Sequence, residues 1–264
     1  MLGDIIIPAL LLGGMGLLFG LGLGFASVKF RVDADPRLTL IRDALPGANC
    51  GGCGYAGCGA FAEAALKGEV KPSGCPVGGK KSADKICAVL GADFETPEHK
   101  RAFVRCGGCH GNREILYNYT GLQDCTAIVQ LPGGGPKSCA YGCLGAGGCK
   151  AVCKFGAISV SDGAAAVNPD KCTACGLCVK ACPKKLITMV PYENRVLVNC
   201  HSKDAGRNVR KNCRVGCIGC KLCEKACKYD AVHVRNNLAA IDYKRCVQCG
   251  ACALKCPSKC IITY

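Results

Sequence analysis

The chain reads CIGCKLCEKAC at residues 217–227 and CVQCGACALKCP at residues 246–257. The same cysteine pattern occurs earlier, and each of its cysteines lies 74 residues before its counterpart. The earlier copy, here called the first repeat, comprises Cys139, Cys143, Cys149, Cys153, Cys172, Cys175, Cys178 and Cys182. The counterparts in the second repeat are Cys213, Cys217, Cys223, Cys227, Cys246, Cys249, Cys252 and Cys256. One unit has therefore been duplicated within this chain.

The spacing of these cysteines is typical of a bacterial ferredoxin with two [4Fe-4S] clusters. Three thiolates separated by two residues wrap around one face of a cluster, while the fourth thiolate, three residues further on, binds the neighbouring cluster. The second repeat is predicted to bind one cluster through Cys217, Cys220, Cys223 and Cys256. It is predicted to bind a second cluster through Cys227, Cys246, Cys249 and Cys252. A four-thiolate zinc site is the alternative, but such sites seldom carry this run of cysteines followed by proline.

The first repeat lacks one of these ligands, because Ala146 occupies the position that matches Cys220. Cys139 is close enough in sequence to replace the missing thiolate. The predicted clusters are therefore Cys139, Cys143, Cys149 and Cys182 for the first, and Cys153, Cys172, Cys175 and Cys178 for the second. A three-iron cluster with one thiolate fewer, or a different role for Cys139, remains the alternative.

Each repeat also predicts a β-hairpin between its two cysteine groups. Residues 157–167 and 231–241 read as strand, tight turn and strand. Asp162-Gly163 and Asn236-Asn237 are residue types that two-residue hairpin turns favour.

A different cysteine pattern lies nearer the N-terminus, with glycines threaded between its members. It comprises Cys50, Cys53, Cys58 and Cys75. Glycine lets backbone N–H groups approach the sulfur atoms of a cluster closely, which tunes its reduction potential. We predict a third kind of [4Fe-4S] site here, with zinc as the alternative. Short helices are predicted at residues 36–45 and 61–67.

The remaining cysteines test the count of sites. The chain has 27 cysteines, and Cys106, Cys109 and Cys125 form an incomplete set. The sequence leaves open whether Cys200, Cys213 or Cys139 supplies the fourth ligand of this set. Cys87 and Cys260 are predicted to be buried in the core without binding iron. About six [4Fe-4S] clusters, which need about 24 thiolates, therefore account for the cysteine content.

Residues 5–28 carry no charged side chain and are long enough, as a helix, to span a bilayer. Asp4 precedes this apolar run, and Lys29 and Arg31 follow it, which is unlike a cleaved signal peptide. The positive-inside rule then places the N-terminus outside and all later residues in the cytoplasm. We predict a single-pass inner-membrane anchor with its clusters in a reducing compartment.

The formal net charge of +15 does not indicate nucleic-acid binding. Each oxidised [4Fe-4S] cluster with four thiolates carries about −2, so six clusters would leave roughly +3. No nucleic-acid-binding motif accompanies the basic residues. The excess of lysine and arginine therefore largely balances the expected clusters.

The whole chain resembles the B subunit of Rnf complexes, which are ion-translocating ferredoxin:NAD+ oxidoreductases of membranes. The resemblance rests on the glycine-rich anchor, on ANCGGCGYAGC at residues 48–58 with Cys75-Pro76, and on the segments ending in Cys182-Pro183 and Cys256-Pro257. The chain departs from short family members by having two ferredoxin units and the insertion at residues 106–125.

The resemblance implies an electron-transfer protein that accepts electrons from reduced soluble ferredoxin and passes them to flavin-bearing membrane subunits. NAD+ would be reduced on another subunit, with Na+ or H+ translocated, and this chain shows no nucleotide-binding motif of its own. Exposed cations that either dock acidic ferredoxin or merely contact water are Lys180, Lys184, Lys185, Lys221, Lys225 and Lys228. A polyferredoxin of a hydrogenase, heterodisulfide reductase or carbon monoxide dehydrogenase system is the alternative, and a zinc-binding scaffold is a further one.

The predicted fold class is α+β, with ferredoxin-like units preceded by a small cluster domain and an anchor helix. The predicted segments are an anchor at 1–31, a [4Fe-4S] domain at 32–95, a cysteine-containing connector at 96–136, a first ferredoxin-like unit at 137–192 and a second at 193–264.

Overall fold

The computed structural model of the chain describes residues 2–30, 35–92 and 98–264. It begins with helix α1, Leu2–Lys29, whose apolar side chains from Leu10 onward are exposed. At about 1.5 Å per residue this helix is longer than the hydrocarbon core of a bilayer. Within the described residues, Leu10–Lys29 is the one segment long and apolar enough to cross a membrane.

Three helices form a small domain after α1: α2, Pro36–Ala44; α3, Cys58–Leu66; and α4, Gly79–Leu90. Asp35 caps α2 by accepting a hydrogen bond from the backbone N–H of Arg37. Ile41, Phe61 and Ile86, one from each helix, are fully buried against one another. The helices predicted at residues 36–45 and 61–67 are confirmed within one to three residues at their ends.

The rest of the chain alternates short strands and single-turn helices. In chain order these are β1, Lys100–Val104; α5, Cys125–Ile128; α6, Gly148–Ala151; β2, Ile158–Ser161; β3, Ala164–Val167; α7, Leu177–Ala181; β4, Ile187–Pro191; β5, Val196–Val198; α8, Gly206–Asn212; α9, Leu222–Ala226; β6, Val232–Arg235; β7, Leu238–Ile241; α10, Ala251–Leu254; and β8, Ile261–Thr263.

Both predicted hairpins are confirmed, since β2 pairs with β3 and β6 with β7 in antiparallel register. The turn residues Asp162 and Gly163 have φ of 48° and 68°, and Asn236 and Asn237 have φ of 48° and 61°. A type I′ turn requires positive φ at both central positions, which explains why these residue types occur there.

A second strand pair flanks each hairpin and extends the duplication. Strand β4 pairs with β1, and β8 pairs with β5, so each repeat closes on a strand that precedes it. In β1 the side chains of Ala102, Phe103 and Val104 are buried. The segment expected to be a connector, residues 96–136, therefore contributes a core strand to the first repeat.

The two repeats pack against each other through a shared core. Phe103, Val190 and Leu197 are buried together at this junction. Arg101 is buried beside them, where it donates a hydrogen bond of 2.8 Å to the backbone oxygen of Asn194 and stacks 4.8 Å from the Tyr264 ring centroid. The hydrogen bond and the ring contact of this one cation link the two repeats.

Candidate metal centres

The N-terminal site is a cavity between the loop before α3 and the chain that follows it. Its lining includes Cys50, Cys53, Cys58 and Cys75. The Asn49 side chain accepts a hydrogen bond of 2.8 Å from the backbone N–H of Cys58, which holds the loop closed. Backbone N–H groups of Gly52 and Gly78 point at the sulfurs of Cys50 and Cys75, at 3.5 and 3.4 Å. The structure thus brings together the four cysteines that the sequence grouped.

Site 1A lies between the hairpin of the first repeat and helix α7. Its four cysteines are Cys153, Cys172, Cys175 and Cys178. Ile158 and Met189 supply apolar walls, and the backbone N–H of Ala102 donates to the sulfur of Cys172 at 3.3 Å. This donor comes from β1, so a strand outside the first repeat helps to shape the site.

Site 1B is the neighbouring cavity, and its four cysteines are Cys125, Cys143, Cys149 and Cys182. Cys139, which is expected from the spacing to complete this set, does not line this cavity. Asp124 caps α5 by accepting hydrogen bonds from the backbone N–H groups of Thr126 and Ala127, which fixes Cys125 at the start of that helix. The loop that carries Ala146 continues into α6, where a Cβ atom on Gly148 would lie 3.6 Å from the Cys125 sulfur.

Cys139 instead lines a fourth cavity, here called the bridging site, with Cys106, Cys200 and Cys213. The bridging site joins the repeats, because Cys106 follows β1, Cys139 begins the first repeat, and Cys200 and Cys213 follow β5 and α8. All three of the open candidates, Cys139, Cys200 and Cys213, therefore line one cavity.

Cys109, which was grouped with Cys106 and Cys125, is not among the residues that line the bridging site. The Asn112 side chain instead donates a hydrogen bond to its sulfur at 3.1 Å. The predicted set of Cys106, Cys109 and Cys125 is thus divided between two cavities and a loop.

We call the predicted set of Cys217, Cys220, Cys223 and Cys256 site 2B, and the predicted set of Cys227, Cys246, Cys249 and Cys252 site 2A. Burial raises the pKa of Cys223 to about 11, and the negative charges of Cys217, Cys256 and Cys220 add smaller contributions. Burial raises the pKa of Cys252 as well, with smaller contributions from Cys246 and Cys227. These neighbours match the sets predicted from the spacing. Cys220 and Cys249 are exposed, so both sites reach the protein surface.

Cys260 and Cys87 are buried, as predicted. The sulfur of Cys260 lies 3.6 Å from that of Cys256. Hydrogen bonding to the Cys260 side chain holds the pKa of Cys256 at about 5 and that of Cys217 at about 6. The repeat alignment indicated a core position for Cys260, and only the fold reveals its contact with site 2B.

Two cations lie between site 1B and the bridging site. The Lys137 side chain is buried, and its ammonium donates hydrogen bonds to the backbone oxygens of Cys143 and Gly163. Arg113 donates to the same two oxygens, at 3.3 and 3.2 Å. Burial and the neighbouring Arg113 lower the pKa of Lys137 to about 8. Sequence reasoning missed both residues.

The donor sets fit iron–sulfur clusters better than single ions. Among the described residues, no three His, Cys, Asp or Glu side chains converge on a point where one metal ion would sit. Tetrahedral zinc requires four ligand atoms within about 2.3 Å of one ion. A polynuclear cluster is larger, so its thiolates can stand apart around a cavity.

Burial also shapes how such a cluster is acquired. It raises the pKa of Cys149 to about 12 and that of Cys178 to about 11. These thiols are protonated at neutral pH, so binding of an iron–sulfur cluster through Cys149 or Cys178 would be coupled to proton release.

Fold and site together define an iron–sulfur protein, and comparison with known families agrees. A family described as an Fe-S cluster domain matches residues 45–77. The 4Fe-4S binding domain family matches residues 165–188, and the 4Fe-4S dicluster domain family matches residues 216–261.

Three relatives, each the B subunit of its complex, are similar over nearly the whole chain. The B subunit of the Na(+)-translocating ferredoxin:NAD(+) oxidoreductase complex of Acetobacterium woodii is 46% identical to this chain. The match covers 99% of this chain and 78% of the length of that subunit. The one from the ion-translocating oxidoreductase complex of Methanosarcina acetivorans is 44% identical, with 95% of each covered. The B subunit of the proton-translocating ferredoxin:NAD(+) oxidoreductase complex of Clostridium ljungdahlii is 42% identical. That match covers 92% of this chain and 87% of the length of that subunit. The chain belongs to the family of B subunits of these Rnf-type ion-translocating oxidoreductase complexes.

Proposed function

We propose that this chain holds six [4Fe-4S] clusters and relays single electrons between them. The observation that carries this proposal is the presence of four separate cavities, each lined by four cysteines. Sites 2A and 2B complete the set with the ferredoxin spacing. Each cluster, when bound, accepts and releases one electron, while the surrounding chain fixes its position and excludes water.

Contacts between neighbouring sites support one order for the relay. A Cβ atom on Gly52, in the N-terminal site, would lie 2.7 Å from the backbone oxygen of Cys175 in site 1A. Cys178 of site 1A is close enough to Cys149 of site 1B to contribute to the rise of its pKa. The first three stations are therefore the N-terminal site, site 1A and site 1B.

The bridging site comes next, because the backbone N–H of Cys143 in site 1B donates to the sulfur of Cys106 at 3.3 Å. On the other side, the backbone N–H of Cys217 in site 2B donates to the sulfur of Cys200, also at 3.3 Å. Sites 2B and 2A share one core. The relay then runs from the N-terminal site to site 2A.

We further propose that reduced soluble ferredoxin is the electron donor and that partner subunits carry the later steps. The names of two relatives specify ferredoxin and NAD+ as the substrates of their complexes. One of those names specifies Na+ and the other protons, so ion choice varies within the family. We assign NAD+ reduction and ion passage to other subunits, since this chain has six predicted redox centres and a single candidate spanning helix among its described residues.

The anchor sets the location in this proposal. Lys29 and Arg31 follow the apolar helix and favour the cytoplasm, so the chain is single-pass with its cluster-bearing part on the cytoplasmic side. That side offers the reducing conditions in which free thiols and clusters persist.

Metal analysis of an anaerobic preparation tests the proposal. We expect about 24 iron atoms and a similar amount of acid-labile sulfide per chain, four of each for every cluster. Dithionite should bleach the absorbance near 400 nm and produce paramagnetic signals of reduced clusters. A preparation that contains zinc with little iron, and no such signals, would contradict it.

The bridging site has its own matched pair of variants. Cys106→Ser removes a residue that lines the cavity and is expected to cost up to about four iron atoms per chain. Cys109→Ser changes the neighbouring cysteine of the same Cys-x2-Cys pair and should leave the iron content unchanged. Equal iron loss in both variants would show that the bridging site is wrongly assigned.

A further inference from the structure

The first repeat shows how an iron–sulfur module docks onto this fold. The loop of the N-terminal site lies against Cys175, with no room for a side chain on Gly52. Lys154 secures the contact by donating a hydrogen bond of 3.0 Å to the backbone oxygen of Asn49 in that loop. A cysteine loop of another module is thus seated directly over site 1A.

The second repeat retains the same face without an occupant among the described residues. A displacement of 74 residues takes Cys175 to Cys249 and Lys154 to Lys228. Cys249 and Lys228 are both exposed, and Lys228 makes no hydrogen bond or ion pair with any described residue. We call Lys228, Tyr229, Val247 and Cys249 the Cys249 face.

Side chains on this face are suited to a transient protein contact. Tyr229 and Val247 are 51% and 53% exposed, and they correspond to Phe155 and Thr173 around site 1A. A small apolar centre with a cationic rim is typical of surfaces that bind a charged partner reversibly.

The charge around the face selects the partner. The second repeat exposes lysines at several positions, namely Lys221, Lys225, Lys228, Lys244, Lys255 and Lys259. Of its exposed carboxylates, Asp230 is paired with Arg245 at 2.6 Å. These exposed lysines steer an acidic partner toward site 2A.

We propose that the Cys249 face is the docking surface for a small, acidic, soluble iron–sulfur protein, seated as the N-terminal loop is seated on the first repeat. This inference rests on the proposed function and adds the place of electron entry. One electron leaves the reduced iron–sulfur centre of the partner, which is oxidised, and enters site 2A, which is reduced. No covalent bond is formed or broken.

The test uses the full-length protein with its clusters and a reduced bacterial 2[4Fe-4S] ferredoxin as the probe. Stopped-flow absorbance near 400 nm measures the second-order rate constant for reduction. Lys228→Glu and Val247→Glu are each expected to lower this rate constant about tenfold at low ionic strength, and the loss for Lys228→Glu should shrink as salt is added. Lys80→Glu, an exposed lysine of α4, is the matched charge control and should retain the wild-type rate.

The outcomes separate the docking face from the function it serves. Dithionite, a small reductant, should reduce all variants equally, which shows that their clusters are intact. If ferredoxin reduces the wild type and Lys228→Glu at the same rate, the docking face is wrong while the proposed function stands. If dithionite reduces the wild type but ferredoxin does not, the proposed function fails first. If Val247→Glu instead dissociates an oligomer of this chain, the face binds a second copy and the proposal is overturned.

Discussion

The two repeats share their cysteine spacing and hairpins but differ in what surrounds them. Site 1A lies under the N-terminal loop, whereas its counterpart, site 2A, exposes Cys249. Site 1B takes Cys125 from outside its repeat, whereas site 2B is complete with its own Cys220. In the proposed relay the first repeat therefore lies in the middle and depends on its neighbours. The second repeat supplies every cysteine of sites 2A and 2B and keeps an open face among the described residues, as expected of a terminal station.

The most severe test of this difference is the origin of the fourth ligand. Cys125→Ser should lower the iron content of site 1B. The loss is about one iron atom if a three-iron cluster remains, and about four iron atoms if the whole cluster is lost. Adding Ala146→Cys to this variant restores the spacing of the second repeat and should recover the lost iron. Iron analysis with paramagnetic resonance of the oxidised protein measures both effects.

Cys139→Ser is the informative control for this prediction, because it should affect the bridging site and leave site 1B intact. If Cys125→Ser retained all its iron while Cys139→Ser lost the site 1B cluster, the assignment from the cavities would be wrong.

A smaller effect is expected from a lysine that the repeats use differently. Lys137 is buried beside site 1B, whereas its counterpart Lys211 is exposed at the end of α8. A positive charge about 8 Å from a cluster, at an effective dielectric constant of about 20, favours the reduced form by about 2 kcal/mol, or roughly 90 mV. Lys137→Gln should therefore lower the potential of a neighbouring cluster by about 50–100 mV.

Potentiometric titration followed by paramagnetic resonance measures this shift. Lys211→Gln is the matched control and should change no potential by more than about 10 mV, since water and salt screen an exposed charge. Equal shifts in the two variants would remove the electrostatic distinction between the repeats.

The smallest expected change in reduction potential comes from Cys260. Its counterpart in the first repeat is Leu186. Cys260→Leu removes a weak S–H donor beside Cys256, and such contacts contribute about 0.5–1 kcal/mol. Loss of that donor should lower the potential of site 2B by about 20–40 mV. Leu186→Cys should shift site 1B in the opposite direction. An unchanged potential in both variants would mean that Cys260 serves only to fill the core.

Local features of the fold were predictable because a few adjacent residues determine them. The hairpin turns at Asp162-Gly163 and Asn236-Asn237 follow from the preference of those residue types for positive φ. The short helices α2 and α3 follow from the cap at Asp35 and from apolar residues at helical spacing. The groupings of the N-terminal site and sites 1A, 2A and 2B likewise follow from spacing within one or two short segments.

The predicted groupings differ from the cavities where one cavity draws on distant segments. Spacing suggested Cys139 for site 1B because it is near in sequence, yet Cys125 reaches that cavity from a helix outside the repeat. The bridging site combines two cysteines before residue 140 with two after residue 199, and no spacing rule connects them. The strand β1 escaped prediction for the same reason, since its partner β4 follows the first repeat.

By itself, the sequence determined the iron–sulfur class, the duplication and the apolar N-terminal helix, because each depends on residue type and short-range spacing. Only the tertiary structure decided which thiols share a cavity between the repeats, where buried cations lie, and which repeat keeps an open face. Those properties depend on the packing of segments far apart in the chain, and packing is set by the whole core rather than by any local pattern.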